Sequence, residues 1–161
     1  MKKIYKIIVI TILIVTIFSI CYNMVINNKV KVVKETIEVK TLPEEFEGFT
    51  VLQIADLHSK TFGEKQENLT KLINSLKYDI LAISGDMCNI DDKDYSPFID
   101  LIEGLENKDN IYYTQGNHGP YVYGWLAEFK SVVHRDVKIN KDKKEKLTDV
   151  GETLQNLGVN F

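Results

Sequence analysis

The sequence predicts an α/β domain with a largely parallel sheet, carried behind one membrane-spanning helix. Two patterns predict it. Three short runs, residues 49–55, 79–84 and 111–115, are rich in β-branched and aromatic residues and alternate with segments of helical spacing. Ahead of them, Ile7 to Ile26 are 20 consecutive residues without a charge. Strand and helix in alternation give β-α-β-α-β, which calls for parallel strands joined by right-handed crossovers.

The uncharged run spans about 30 Å as a helix, the thickness of a bilayer's hydrocarbon core. It is too long for a signal-peptide core, and the residues at its end, Phe18 to Tyr22, lack a small-x-small cleavage site. Ile20 before Cys21 also spoils a lipoprotein cleavage site. An uncleaved anchor over residues 1–27 is therefore expected. Lys2, Lys3 and Lys6 precede it, and Lys29, Lys31 and Lys34 follow. The first three are more tightly clustered, and the N-terminal stretch is too short to need translocation. The expectation is a single-pass protein with its N-terminus inside and its domain extracytoplasmic.

Residues 28–34 form a polar spacer, and Glu35 to Val39 alternate as a short strand would. Thr41, Leu42 and Pro43 break that pattern. The runs 49–55 (FTVLQIA) and 79–84 (DILAIS) read as buried strands, and 111–115 (IYYTQ) as a third. Between them, Leu69, Leu72, Ile73 and Leu76 mark a helix over 64–76. Ser96-Pro97 opens another, with Phe98, Leu101, Ile102 and Leu105 on one face. Trp125 to Val133 suggest a further helix, and 138–146 are a solvated charged run. Leu147, Val150, Leu154 and Leu157 mark a last helix, stopped by Gly158, before Val159-Asn160-Phe161 opens a fourth strand.

A length of 161 residues suits one domain. A 44% hydrophobic and 27% charged composition excludes disorder. The net charge is -3, but the anchor holds three lysines and no acid, leaving 17 basic against 23 acidic residues, or -6, beyond it. Charge alone thus argues against nucleic-acid binding. Two cysteines cannot build a disulfide fold, and Cys88 reads as a small buried apolar residue. Tyr112, Tyr113, Tyr121 and Tyr123 read by default as core aromatics.

Each strong strand ends in ligand-like residues: Asp56-Leu57-His58, Gly85-Asp86 and Gly116-Asn117-His118. Asp56 to Asp86 is 30 residues and Asp86 to Asn117 is 31, about one βαβ unit each. Residues just past the carboxyl ends of adjacent parallel strands converge on one crevice. Alternate residues of an extended chain point the same way, so Asp56 and His58 can grip one cation. The Asp86 carboxylate can bridge two, and the Asn117 amide oxygen adds a neutral ligand. Mixed nitrogen and oxygen donors suit Mn, Fe or Zn. Two such ions about 4 Å apart can clamp a phosphate and generate a hydroxide. Gly85 and Gly116 permit the sharp turns that present the next residue.

These three motifs, with the preceding Thr50-Val51-Leu52-Gln53-Ile54-Ala55, resemble the calcineurin-like metallophosphoesterases. The Leu-Pro-x-x-Phe-x-Gly approach over 42–48 looks like that of a membrane-anchored bacterial branch. The resemblance implies an α/β sandwich with a dinuclear Mn, Fe or Zn centre that hydrolyses phosphomonoesters or phosphodiesters. It implies that Asp56 and His58 bind the first metal, Asp86 bridges, Asn117 binds the second, and His118 is catalytic, contacting phosphate and protonating the leaving oxygen. The family pattern continues with another metal-binding histidine and a Gly-His-x-His element. After His118 there is only His134, in a context that fits neither, and Asn89 and Gly119 replace acids often found there. Residues 35–161 are therefore expected to be a truncated metallophosphoesterase domain, its first half, weak or inactive. The alternative is a non-catalytic membrane-tethered remnant or a metal-binding or interaction stub; no protein partner is legible.

The intact chain should remain in the membrane pellet after alkaline carbonate extraction. A soluble product whose N-terminus lies at Cys21 or Tyr22 would show cleavage instead.

Overall fold

A computed structural model describes residues 2–124 and 146–161. The helix expected over Trp125 to Val133, His134, and the charged run up to residue 145 lie outside the described residues. Two compact units are present, Met1–Lys40 and Thr41–Phe161.

The first unit contains helix α1 (Lys2–Asn27). Its most apolar stretch has a mean hydropathy of 2.6, and by length and composition it can cross a membrane. Two of its polar side chains bond back within the helix. Thr11 Oγ1 donates to the Ile7 carbonyl at 3.0 Å, and Asn23 Nδ2 to that of Ser19 at 2.8 Å. The strand expected over Glu35 to Val39 is absent: these residues are exposed and form no ladder. The alternating pattern needs a partner strand, and no described strand pairs with it.

The second unit is a four-stranded sheet of order β1-β2-β3-β4. The strands are β1 (Val51–Ile54), β2 (Ile80–Ser84), β3 (Ile111–Thr114) and β4 (Val159–Asn160). All neighbours are parallel. The helices are α2 (Glu67–Asn74), α3 (Ser96–Glu103) and α4 (Asp149–Asn156). The α/β fold class, the parallel sheet and the fourth strand thus stand as the sequence predicts.

The core lies on one face of the sheet. Leu81, Ile83 and Ile111 are fully buried there with Phe98, Leu101, Ile102 and Leu154. Burial alternates along β3, with Ile111 and Tyr113 in and Tyr112 and Thr114 out. Val51, Gln53 and Ser84 are exposed on the other face. The runs 49–55 and 79–84 are therefore buried on one side, not two. Tyr112, expected in the core, is 47% exposed by the same alternation, whereas Tyr113 packs on Phe98 with ring centroids 5.1 Å apart.

The helix expected over 64–76 begins as a 3-10 turn (Glu64–Gln66), in which Lys65 and Gln66 have φ of 47° and 62°. The break has a purpose. It buries the Gln66 amide completely. Gln66 Nε2 donates to the carbonyls of Lys60 (2.8 Å) and Pro97 (3.1 Å), and Oε1 accepts from the Phe62 amide (2.9 Å). One side chain thus ties the loop after β1 to the first turn of α3. At α4, Thr148 caps the helix by accepting from the Gly151 amide, and its hydroxyl donates to the Tyr121 carbonyl at 2.8 Å.

Gln66→Leu keeps the volume but takes this partner from the buried Pro97 carbonyl and from the backbone groups of Lys60 and Phe62. It should lower the unfolding free energy by about 1–3 kcal/mol, read by chemical denaturation of the chain in detergent.

Candidate metal centre

The strand registers bring the three loops together. Ile54 pairs with Ile83, and Ser84 with Thr114. The ladder then continues into the loops without strand geometry. The Asp56 amide donates to the Gly85 carbonyl (3.2 Å), His58 to Asp86 (2.9 Å), Ser59 to Met87 (3.0 Å) and Cys88 to Gly119 (3.0 Å). Because β2 lies between β1 and β3, Asp86 falls between the other two motifs.

Glycine is required on both sides of that junction. Gly85 has φ of 90°, and a Cβ there would lie 2.7 Å from the Gly116 nitrogen. A Cβ on Gly116 would lie 2.1 Å from Asp86 Oδ1. Gly85 thus serves the turn as expected, whereas Gly116 serves close approach, not a left-handed turn. Four other loop residues take left-handed backbone without being glycine: Asp56 (φ 55°), His58 (48°), Ser59 (56°) and Asp86 (52°). Such conformations cost on the order of 1–3 kcal/mol each, less for aspartate, and persist where surroundings hold them.

His58, Asp86 and His118 each offer a donor atom, all within 4.8 Å of one another, and all three residues are partly buried. The His58 and His118 rings meet edge to face, with centroids 4.9 Å apart. Asp86 Oδ1 accepts from the His118 amide at 2.8 Å. Asp56 lies beside this group, its Oδ1 3.7 Å from His58 Nε2. Asn117 is exposed, in the same loop as His118, and its carbonyl accepts from the Tyr121 hydroxyl at 2.8 Å. So the five predicted residues share the carboxyl ends of three adjacent strands. Three form the tight group, and His118, expected on the leaving-group side, offers its ring within it.

These residues fit a metal. His118 Nδ1 is buried and has no hydrogen-bond partner. A buried ring nitrogen left so is costly unless something else meets it. Two imidazoles and a carboxylate are donors of the kind Mn, Fe and Zn take.

A second layer lies behind them. The Ser59 hydroxyl donates to Asp92 Oδ2, which also accepts from the Asn89 amide (3.0 Å) and from Asn89 Nδ2 (2.9 Å). These bonds, Ser59's first, hold the Asp92 carboxyl below the ordinary range. Burial pushes the Cys88 thiol up to about 11, so it stays protonated and inert, as a buried apolar residue should. Burial likewise raises Tyr113, whose hydroxyl donates to the Pro120 carbonyl at 2.9 Å. The sequence reading missed Ser59 and Asp92. The one available signal was that Ser59 directly follows His58.

Residues 49–158 match the family described as Calcineurin-like phosphoesterase. A "Transmembrane protein with metallophosphoesterase domain" from Danio rerio is 27% identical over 107 residues, which is 63% of this chain and 24% of that protein. The chain thus spans about a quarter of the length of that relative. No solved structure matches.

Gly116→Ala should drive the Asp86 carboxylate out of position and lower the unfolding free energy by about 1–3 kcal/mol. An unchanged denaturation midpoint would refute the steric reading.

Proposed function

Because the chain belongs to the calcineurin-like phosphoesterase family, we propose that its second unit hydrolyses phosphomonoesters or phosphodiesters with the aid of divalent ions. The observation that carries this reading is the group of His58, Asp86 and His118 donor atoms within 4.8 Å, at the ends of adjacent parallel strands. Asp56, His58, Asp86 and Asn117 would hold one or two ions of Mn, Fe or Zn. When bound, such ions supply Lewis acidity and lower the pKa of water. Asp86, central among the loops, orients its neighbours by accepting from the His118 amide. His118 is the catalytic group, giving a proton to the leaving oxygen through its ring. Helix α1 is a single-pass anchor with the domain on the extracytoplasmic side, as in a membrane-anchored bacterial branch of the family. Residues 1–27, 28–34 and 35–161 then serve as anchor, spacer and truncated metallophosphoesterase domain.

A second reading has its own support. The 161 residues carry three histidines, and His134 lies outside the described residues. Asp56, His58, Asp86 and Asn117 are few donors for two five- or six-coordinate ions without several waters. A metal-binding, non-catalytic stub tethered to the membrane has the same donors and needs no turnover.

Mn²⁺ titration and hydrolysis of a model phosphodiester by the full chain in detergent separate the two. Weak hydrolysis that Asp86→Ala reduces to background, with loss of Mn²⁺ binding, supports the esterase. Mn²⁺ binding lost in Asp86→Ala without any hydrolysis supports the stub. Failure of the unaltered chain to bind Mn²⁺ or Zn²⁺ overturns both.

A further inference from the structure

We propose that Ser59 and Asp92 are a positioning pair that holds the His58 ring at the donor group. The inference rests on reading His58 as a metal donor. His58 and Ser59 are consecutive left-handed residues, with φ of 48° and 56°; histidine is enriched in that region, but serine is not. Something must hold them. Two backbone bonds do part of this, from His58 to Asp86 and from Ser59 to Met87. They fix the chain's height beside β2, and Gln66 ties the loop farther on, at Lys60 and Phe62.

The Ser59 hydroxyl adds a tie next to the histidine itself. It donates to Asp92 Oδ2 across 33 positions of sequence. Asp92 is itself held: its carboxylate accepts twice from Asn89, and its amide donates to the Asn89 carbonyl at 3.2 Å. The Asn89 amide lies 3.4 Å from Ser59 Oγ as well. The loop carrying His58 is thereby fastened to the loop carrying Asp86, one residue past the histidine and six past the aspartate. A charged acceptor makes the bond stronger than a neutral one. Residues that orient a metal-ligating histidine change metal affinity typically 10- to 100-fold when removed.

Ser59→Gly tests this without adding strain, because glycine accepts φ of 56° and loses only the hydroxymethyl group. The full chain in detergent, metal-free and labelled on its histidine rings, is compared by NMR for the proton contact between His58 and His118, then titrated with Mn²⁺. Ser59→Gly and Asp92→Ala should each weaken or abolish the ring contact and weaken Mn²⁺ binding about 10- to 100-fold. Their combination should do no more than the worse single change. Ser59→Asn, which tolerates the left-handed backbone and returns a donor, should restore the contact. A merely structural bond would lower the unfolding midpoint and leave the ring contact intact. A Ser59→Gly chain that keeps ring contact and affinity overturns the proposal. If the unaltered chain binds no Mn²⁺, the metal reading fails, yet the metal-free ring contact still decides the positioning.

Discussion

Asp86 occupies a gap that exists because two neighbouring residues have no side chain. Its Oδ1 lies where a Cβ on Gly116 would be, and Gly85 presses against the Gly116 backbone from the other side. That closeness lets one carboxylate accept from the His118 amide while its ring neighbours come from two different strands. The rest of the site depends on it. A bulkier junction would part the loops after β2 and β3 and separate His118 from His58. The constraint reaches back into the sheet, because the pairing of Ser84 with Thr114 sets Asp86 opposite Gly116. A slip of one residue would put the core face of β2 in solvent and move the aspartate out of the gap.

The loops at this end of the sheet are conformationally expensive, and the structure shows how the expense is met. Four non-glycine residues with positive φ surround one group of donors. The ladder continues past the strands into the loops, so most of these residues keep a backbone partner. Gln66 and Thr148 work farther out, each tying a loop of the site to a helix. Satisfied buried polar groups of this kind specify one arrangement, where apolar packing alone would tolerate several.

Much of this was legible in the sequence. The elements from 49 to 115 follow from β-branched runs, helical spacing and Ser96-Pro97, and the three motifs fall where a parallel sheet must bring them. What was not legible shares a cause. Whether FTVLQIA is buried on one face or both depends on what covers the sheet, not on its own residues. Glu35 to Val39 alternates correctly but has no partner strand among the described residues, and alternation alone does not make a strand. The 3-10 break at Gln66 reflects a buried amide with two local backbone partners, Lys60 and Phe62, and one distant one, Pro97. Ser59 and Asp92 are ordinary polar residues in sequence, and only the left-handed turn after β1 aims one at the other. Gly116 was singled out for the wrong reason: spacing suggested a turn, whereas the requirement is room for the carboxylate next door.

Charge adds the last constraint on what this site can accept. Beyond the anchor the chain has 17 basic and 23 acidic residues, and the loops themselves bring Asp56 and Asp86 each beside His58. Such a surface attracts cations and repels anions. A phosphate ester is an anion, so on the phosphoesterase reading the carboxylates must be neutralised before it can approach. His58 does not supply that neutralisation when uncharged, and it serves as a metal donor only in that state. The same carboxylates that make the site unsuited to a bare phosphate make it suited to a divalent cation, and the buried, unpartnered His118 Nδ1 stands among them. Metal affinity is therefore the property on which any reaction with phosphate depends, and the bonds that hold Asp86 and His58 in place govern it.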